Sequence, residues 1–196
     1  MGFFAFPAIE FQLRMSMLLC FSGEMGSGKS SVSSTVAEKL GWRRAGFGDY
    51  LRSEITRLGG DPTDREALQD LGQNRVHDDP AGFCRDVLRA GGFLPGDDFV
   101  IDGVRHVRIF EILAEVSAPS QARLVFLGAI ETNRIARVEA RVDARDFARA
   151  STHRVEAELR TALPQQADGL VNADRSLDHV VSDCLDLVQQ WLAGSP

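Results

Sequence analysis

Eight residues, Gly23-Glu24-Met25-Gly26-Ser27-Gly28-Lys29-Ser30, constrain this chain more than any others. They match the spacing G-x-x-x-x-G-K-S/T in full. A wholly apolar run, Met17 to Phe21, precedes them and reads as a strand buried on both faces. After them Val32, Val36, Ala37 and Leu40 form one helical stripe, which Gly41 stops. The glycines let successive backbone N–H groups point at a single anion. The following helix adds its positive N-terminal end. The segment therefore predicts a loop that holds ATP by its β and γ phosphates. It would be built from Gly23, Glu24, Met25, Gly26, Ser27, Gly28, Lys29, Ser30 and Ser31. Lys29 is expected to reach the β and γ phosphates and the Ser30 hydroxyl to ligate Mg2+. Glu24 and Met25 fill variable positions of the motif and carry little information.

The remainder of the chain alternates short apolar runs with helical patterns. Trp42 to Phe47 reads as a strand and Tyr50 to Leu58 as a helix. Asp61-Pro62 predicts a capped helix to about Val76, and Asp79-Pro80 another over Ala81 to Ala90. Further strands are expected at Asp98 to Asp102, Leu124 to Leu127 and Leu170-Val171. Further helices are expected at Val104 to Val116, Thr132 to Val142, and His153 to Leu163 ending at Pro164. A last helix, capped by Ser176, carries the stripe Leu177, Val180, Val181, Cys184, Leu185, Val188, Trp191 and Leu192. Such alternation predicts an α/β domain with a parallel sheet, helices on both faces and right-handed crossovers. Its ligands would lie at the carboxyl ends of the strands.

The 196 residues suit one domain, placed at residues 17–196 behind an N-terminal extension over residues 1–16. That extension is rich in phenylalanine but lacks the basic start of a signal peptide. A docking segment and an upstream start codon both remain open for it. The net charge of -6 argues against a general nucleic-acid binder, and no apolar run is long enough to span a bilayer. Three widely spaced cysteines, Cys20, Cys84 and Cys184, read as buried small hydrophobes of a reducing, cytoplasmic protein. The expected partner is a small-molecule nucleotide acceptor, with no nucleic acid and no membrane, in a monomer or homodimer.

In order and spacing the chain resembles the nucleoside monophosphate kinases. The resemblance runs from about Leu18 to Leu192. It rests on the phosphate loop, Gly48-Asp49-Tyr50-Leu51-Arg52, Ile101-Asp102-Gly103-Val104-Arg105, and the arginines Arg134, Arg137 and Arg141. Three further segments are similar to the phage-type deoxynucleoside monophosphate kinases and dephospho-CoA kinase-like proteins. They are Arg65-Glu66-Ala67-Leu68-Gln69-Asp70-Leu71-Gly72, His153-Arg154-Val155-Glu156 and Ala167-Asp168-Gly169-Leu170-Val171-Asn172. Asp102-Gly103-Val104-Arg105 is one residue shorter than the adenylate kinase form, which favours that branch. The resemblance implies a three-layer P-loop kinase fold with strand order 2-3-1-4-5 and a small lid near residues 143–151.

It also implies roles. Asp102 would hold Mg2+ through water, alongside Ser30. Arg52 and Arg105 would grip the acceptor phosphate by bidentate contacts. Arg137 and Arg141, four residues apart on one helix face, would close over the transferring phosphoryl group. Asp49 is a general base for a hydroxyl acceptor in one reading and a helix cap in another. Arg134, His153 and Glu156 read as ordinary helix residues. An alternative is a regulatory nucleotide-binding protein without transfer. A motor or switch ATPase is disfavoured, because the second strand ends in one acid rather than an acidic pair.

Overall fold

The computed structural model describes residues 15–140 and 159–194. The lid near residues 143–151, Arg141, His153 and Glu156 lie outside them, as does nearly all of the N-terminal extension. Strand β1 (Met17–Ser22) is buried at every position. Its alternation explains why: Leu18 and Cys20 join one core cluster, Leu19 and Phe21 another. A strand with helices on both sides has no solvent face, so its sequence shows no polar alternation.

The second strand, β2, covers Arg43–Gly46. β3 is Phe99–Val104, β4 is Gln121–Gly128 and β5 is Gly169–Asn172. All neighbouring strands pair in parallel, in the order β2-β3-β1-β4-β5. The expected strand order holds. One face is covered by α1 (Lys29–Leu40) and α8 (Leu177–Leu192), through Val32, Val36, Val181 and Cys184. The other is covered by α2 (Phe47–Arg57), α4 (Pro80–Ala90) and α5 (Val107–Val116), through Phe47, Phe83, Val87 and Leu113. Two more helices complete the site's surroundings: α3 (Arg65–Asp78) lines a cavity beside Arg105, and α6 (Glu131–Glu139) reaches Met25 through Arg134; α7 (Ala162–Gln166) packs Leu163 into the core of Leu18 and Cys20.

Several boundaries differ from expectation for local reasons. α2 begins at Phe47, three residues before Tyr50, because Phe47 is pulled into the core at 6% exposure. Asp49 therefore lies inside the first turn and caps nothing. α3 is capped by Asp64, whose carboxylate accepts from the Glu66 and Ala67 N–H groups. Asp61 instead closes a turn on Thr63. Pro164 does not end a helix but sits in the first turn of α7, where a missing N–H is harmless. The caps by Asp79 and Ser176 form as read: Asp79 accepts from Gly82 N–H and Ser176 from His179 N–H. Ser16, assigned to the extension, hydrogen-bonds Ser120 and the Gln121 N–H.

All three cysteines are free and buried. Burial pushes the Cys84 and Cys184 thiols up to about 12, and raises Cys20 further. A thiol reacts as thiolate, so the native protein should be inert to a disulfide reagent at pH 8. Unfolding in guanidinium should release all three at once. A rapid phase in the native state would contradict this packing.

Candidate functional site

The site grows from the carboxyl ends of β1 and β3, which are neighbours. The two strands pair residue for residue up to Phe21 and Asp102; the register then skips Gly103, and Ser22 pairs with Val104. Gly103 has φ 87°, a left-handed conformation that suits glycine. The Ser22 hydroxyl donates to the Val104 carbonyl at 2.7 Å and closes this bulge. Asp102 is thereby held beside the outgoing phosphate loop, at 5% exposure.

The loop itself is braced from below. At Gly26 (φ 81°) a Cβ would fall 2.5 Å from the Arg134 carbonyl of α6. Arg134, 5% exposed, donates to the Met25 carbonyl at 3.3 Å and pairs with Glu24 at 3.2 Å. Glu24 also pairs with Arg160 at 3.1 Å, so this variable position of the motif is a structural anchor after all. Arg137 donates to the Ala173 carbonyl at 2.7 Å and lies 3.5 Å from the Gly26 and Ser27 carbonyls. In this arrangement it clasps loop backbone, a different placement from a grip over the phosphoryl group. The start of α6 is fixed by Asp174, whose carboxyl is held below its usual range chiefly by Asn133 and by the Ile130 N–H. That anchor holds at neutral pH and is lost on acidification through the lowered pKa.

No side chain caps α1, and its first turn holds no acid, which leaves its positive end to an anion. Lys29 Nζ lies across the loop, 3.3 Å from the Glu24 carbonyl. A cavity of about 190 Å³ opens there and brings together Lys29, Ser30, Asp49, Arg52, Asp102 and Arg105. Met25, Gly26 and Arg65 also line it. Ser31 lies one residue further into α1, outside that lining. A second cavity of about 350 Å³ adjoins it, walled by Leu51, Pro62, Thr63, Leu68 and Gln69. Met25, Gly48, Arg52, Arg65 and Arg105 belong to both.

The residues present fit a Mg2+ ion carried by a nucleotide. Asp102 accepts from Arg44 through Oδ2, while its buried Oδ1 has no hydrogen-bond partner among the described residues. The Ser30 hydroxyl stands on the same cavity. No group of three or more metal-ligating His, Cys, Asp or Glu side chains occurs among the described residues. One carboxylate and one hydroxyl suit an ion that keeps its waters and takes its other ligands from phosphates. Two participants were given no role in the sequence reading. Arg44 bridges Asp49 and Asp102, and Arg65 stands between the cavities. Local pattern carries no signal for the first, since its partner in β3 is 58 residues away.

A five-stranded parallel sheet in this order, with a glycine loop between β1 and α1, is the P-loop kinase fold. Solved structures of that fold align along nearly the whole chain. A gluconokinase from Sinorhizobium meliloti 1021 matches with TM-score 0.56 and 20% identity over 92% of this chain and 96% of its own. A shikimate kinase from Bacteroides thetaiotaomicron matches with TM-score 0.58 and 17% identity over 88% and 98%. At these identities the likeness is one of fold. In sequence, the chain is 33% identical over 117 residues to a UPF0200 protein of Aeropyrum pernix. That match covers 55% of this chain and 62% of the relative, so the chain spans under two thirds of the relative's length. No protein-family model matches.

Proposed function

We propose that the protein is an ATP- and Mg2+-dependent kinase that phosphorylates a nucleoside or deoxynucleoside monophosphate. One observation carries this reading: the phosphate-loop cavity and the larger cavity share three guanidinium side chains, Arg52, Arg65 and Arg105. Positive charge at the junction of two compartments suits two phosphates meeting there, one from each side. Leu51, Pro62 and Leu68 offer apolar walls for the body of an acceptor, with Thr63 and Gln69 as polar contacts. Phosphoryl transfer asks mainly for positioning and charge neutralisation. Lys29 and the N-terminal end of α1 would hold the donor phosphates. Ser30 and Asp102 would hold Mg2+, which supplies charge neutralisation at the β and γ oxygens. Arg52 and Arg105 would align the acceptor phosphate, already ionised and needing no strong base.

A second reading is a kinase for a hydroxyl acceptor, of the dephospho-CoA kinase kind. Asp49 supports it, because its carboxylate lines the phosphate-loop cavity where such an acceptor would need a base. The fold neighbours, a gluconokinase and a shikimate kinase, are named for acceptors that are not nucleotides. None of the described helices is long and apolar enough to cross a membrane, and a cytoplasmic site of action goes with either reading.

ADP release with ATP and Mg2+, measured across nucleoside and deoxynucleoside monophosphates plus dephospho-CoA, separates the two. Release stimulated by monophosphates supports the first reading; stimulation by dephospho-CoA alone would replace it with the second. Arg52→Ala should then raise the acceptor KM by roughly tenfold or more, the effect of one lost charge-assisted contact, and leave the ATP KM within about twofold. An equal rise in both would remove Arg52 from the acceptor side.

A further inference from the structure

Arg44 belongs to neither the motif nor any expected role, yet it binds two acids that line the phosphate-loop cavity, Asp49 and Asp102. It lies on β2, where Gly46 pairs with Asp102 of β3, so its side chain runs along the strand toward that carboxylate. Each of its three guanidinium nitrogens donates a hydrogen bond. Nη2 donates to Asp102 Oδ2 at 2.8 Å, Nη1 to Asp49 Oδ2 at 3.2 Å, and Nε to the Ser33 hydroxyl at 3.1 Å. Ser33 is fully buried, on the first turns of α1 that follow the phosphate loop. Asp49 in turn accepts from Arg52 Nη2 at 2.6 Å through its other oxygen. One guanidinium thus joins the three elements that carry the donor loop, the metal-side acid and the acceptor-side arginine.

The geometry points to Arg44 as a positioning residue that fixes Asp102 at the lining of the phosphate-loop cavity through Oδ2, leaving Oδ1 unpartnered among the described residues, and holds Asp49 and Arg52 at the acceptor boundary. This rests on the kinase reading, but its first consequence concerns binding alone. With Oδ2 held by Arg44, Oδ1 is the oxygen left for a metal-bound water. The planar fork matters: Lys offers a single ammonium and cannot hold both carboxylates and Ser33 in that geometry. Removing the fork also leaves two acids facing each other without the cation between them.

The test is nucleotide binding as a function of Mg2+, read with a fluorescent ATP analogue on the full chain. Wild type is compared with Arg44→Gln, Arg44→Lys, Asp102→Asn and the double variant Arg44→Gln/Asp102→Asn. Outer contacts of this kind are worth about tenfold or more in metal affinity. Both Arg44 variants should therefore need about tenfold more Mg2+ for half-saturation. Binding in EDTA should stay at the wild-type level, since the loop is intact. The double variant should need no more Mg2+ than Asp102→Asn. An unchanged or lowered Mg2+ requirement in a folded Arg44→Gln would overturn the inference, as would additive effects in the double variant. If Arg44→Gln fails to fold, the double variant, which removes the stranded charge, decides alone against Asp102→Asn. Wild type that binds nucleotide with Mg2+ but transfers nothing would defeat the kinase reading and leave this comparison intact.

Discussion

Lys29→Ala should lose acceptor-dependent transfer by at least about 10²- to 10³-fold, the scale seen when one preorganised charge is taken from a phosphoryl or acyl site. The effect should be purely functional. Lys29 is half-buried at the start of α1, and among its contacts Nζ donates a 3.3 Å hydrogen bond to the Glu24 carbonyl. A partly exposed side chain with such contacts contributes within about 0.5 kcal/mol of stability. The variant should therefore melt with wild type while its turnover vanishes. Circular dichroism and coupled ADP release measure the two. Equal ATP turnover in both proteins would remove the loop from the reaction.

The second large effect separates two causes of glycine dependence within one loop. Gly26 and Gly28 both have positive φ, 81° and 86°. A side chain at Gly28 meets nothing within 4 Å, whereas at Gly26 it meets the Arg134 carbonyl at 2.5 Å. Gly28→Ala therefore adds backbone strain alone, about 1–2 kcal/mol. Gly26→Ala adds the same strain and a collision with helix backbone that no rotamer change relieves. For a chain of this size each kcal/mol lowers Tm by about 2–4 °C. Without nucleotide, Gly26→Ala should melt at least about 5 °C below Gly28→Ala, because the loop must part from α6. Nucleotide binding by Gly26→Ala should fall by about 100-fold or more, since displacing the loop turns its N–H groups away from the phosphates. Equal melting temperatures for the two variants would show that the contact between loop and α6 does not brace the loop.

What was legible in the sequence was local. The run Met17 to Phe21, the loop and the stripe of α1 are contiguous, and each obeys a short-range rule. So do the caps at Asp79 and Ser176, and the sheet order follows from the resemblance in motif order. Errors came where two rules of equal range competed. Asp61 and Asp64 both precede a helical pattern, and only the turn closed on Thr63 shows which one caps. Asp49 reads as a cap for a helix from Tyr50, but Phe47 docks in the core and starts that helix three residues earlier. The site's charge network was the least legible part. Arg134 looks like one of a solvated row, but it is buried against the loop, 109 residues away from Met25. Glu24 occupies a variable motif position, yet binds Arg134 and Arg160. Arg44 finds Asp102 only because β2 and β3 are neighbours. Such pairings depend on which strands meet, and residue spacing carries no record of that.

The account stands on the two cavities being the donor and acceptor halves of one transfer site. The most direct measurement follows the γ phosphate itself. ATP labelled in that group is incubated with the protein, Mg2+ and the monophosphate that best stimulates ADP release. The account predicts the label in the acceptor, in one-to-one amount with ADP, and none of that product with Lys29→Ala. Label found only as inorganic phosphate, at a rate indifferent to every acceptor, would contradict it and leave a nucleotide-binding protein without transfer.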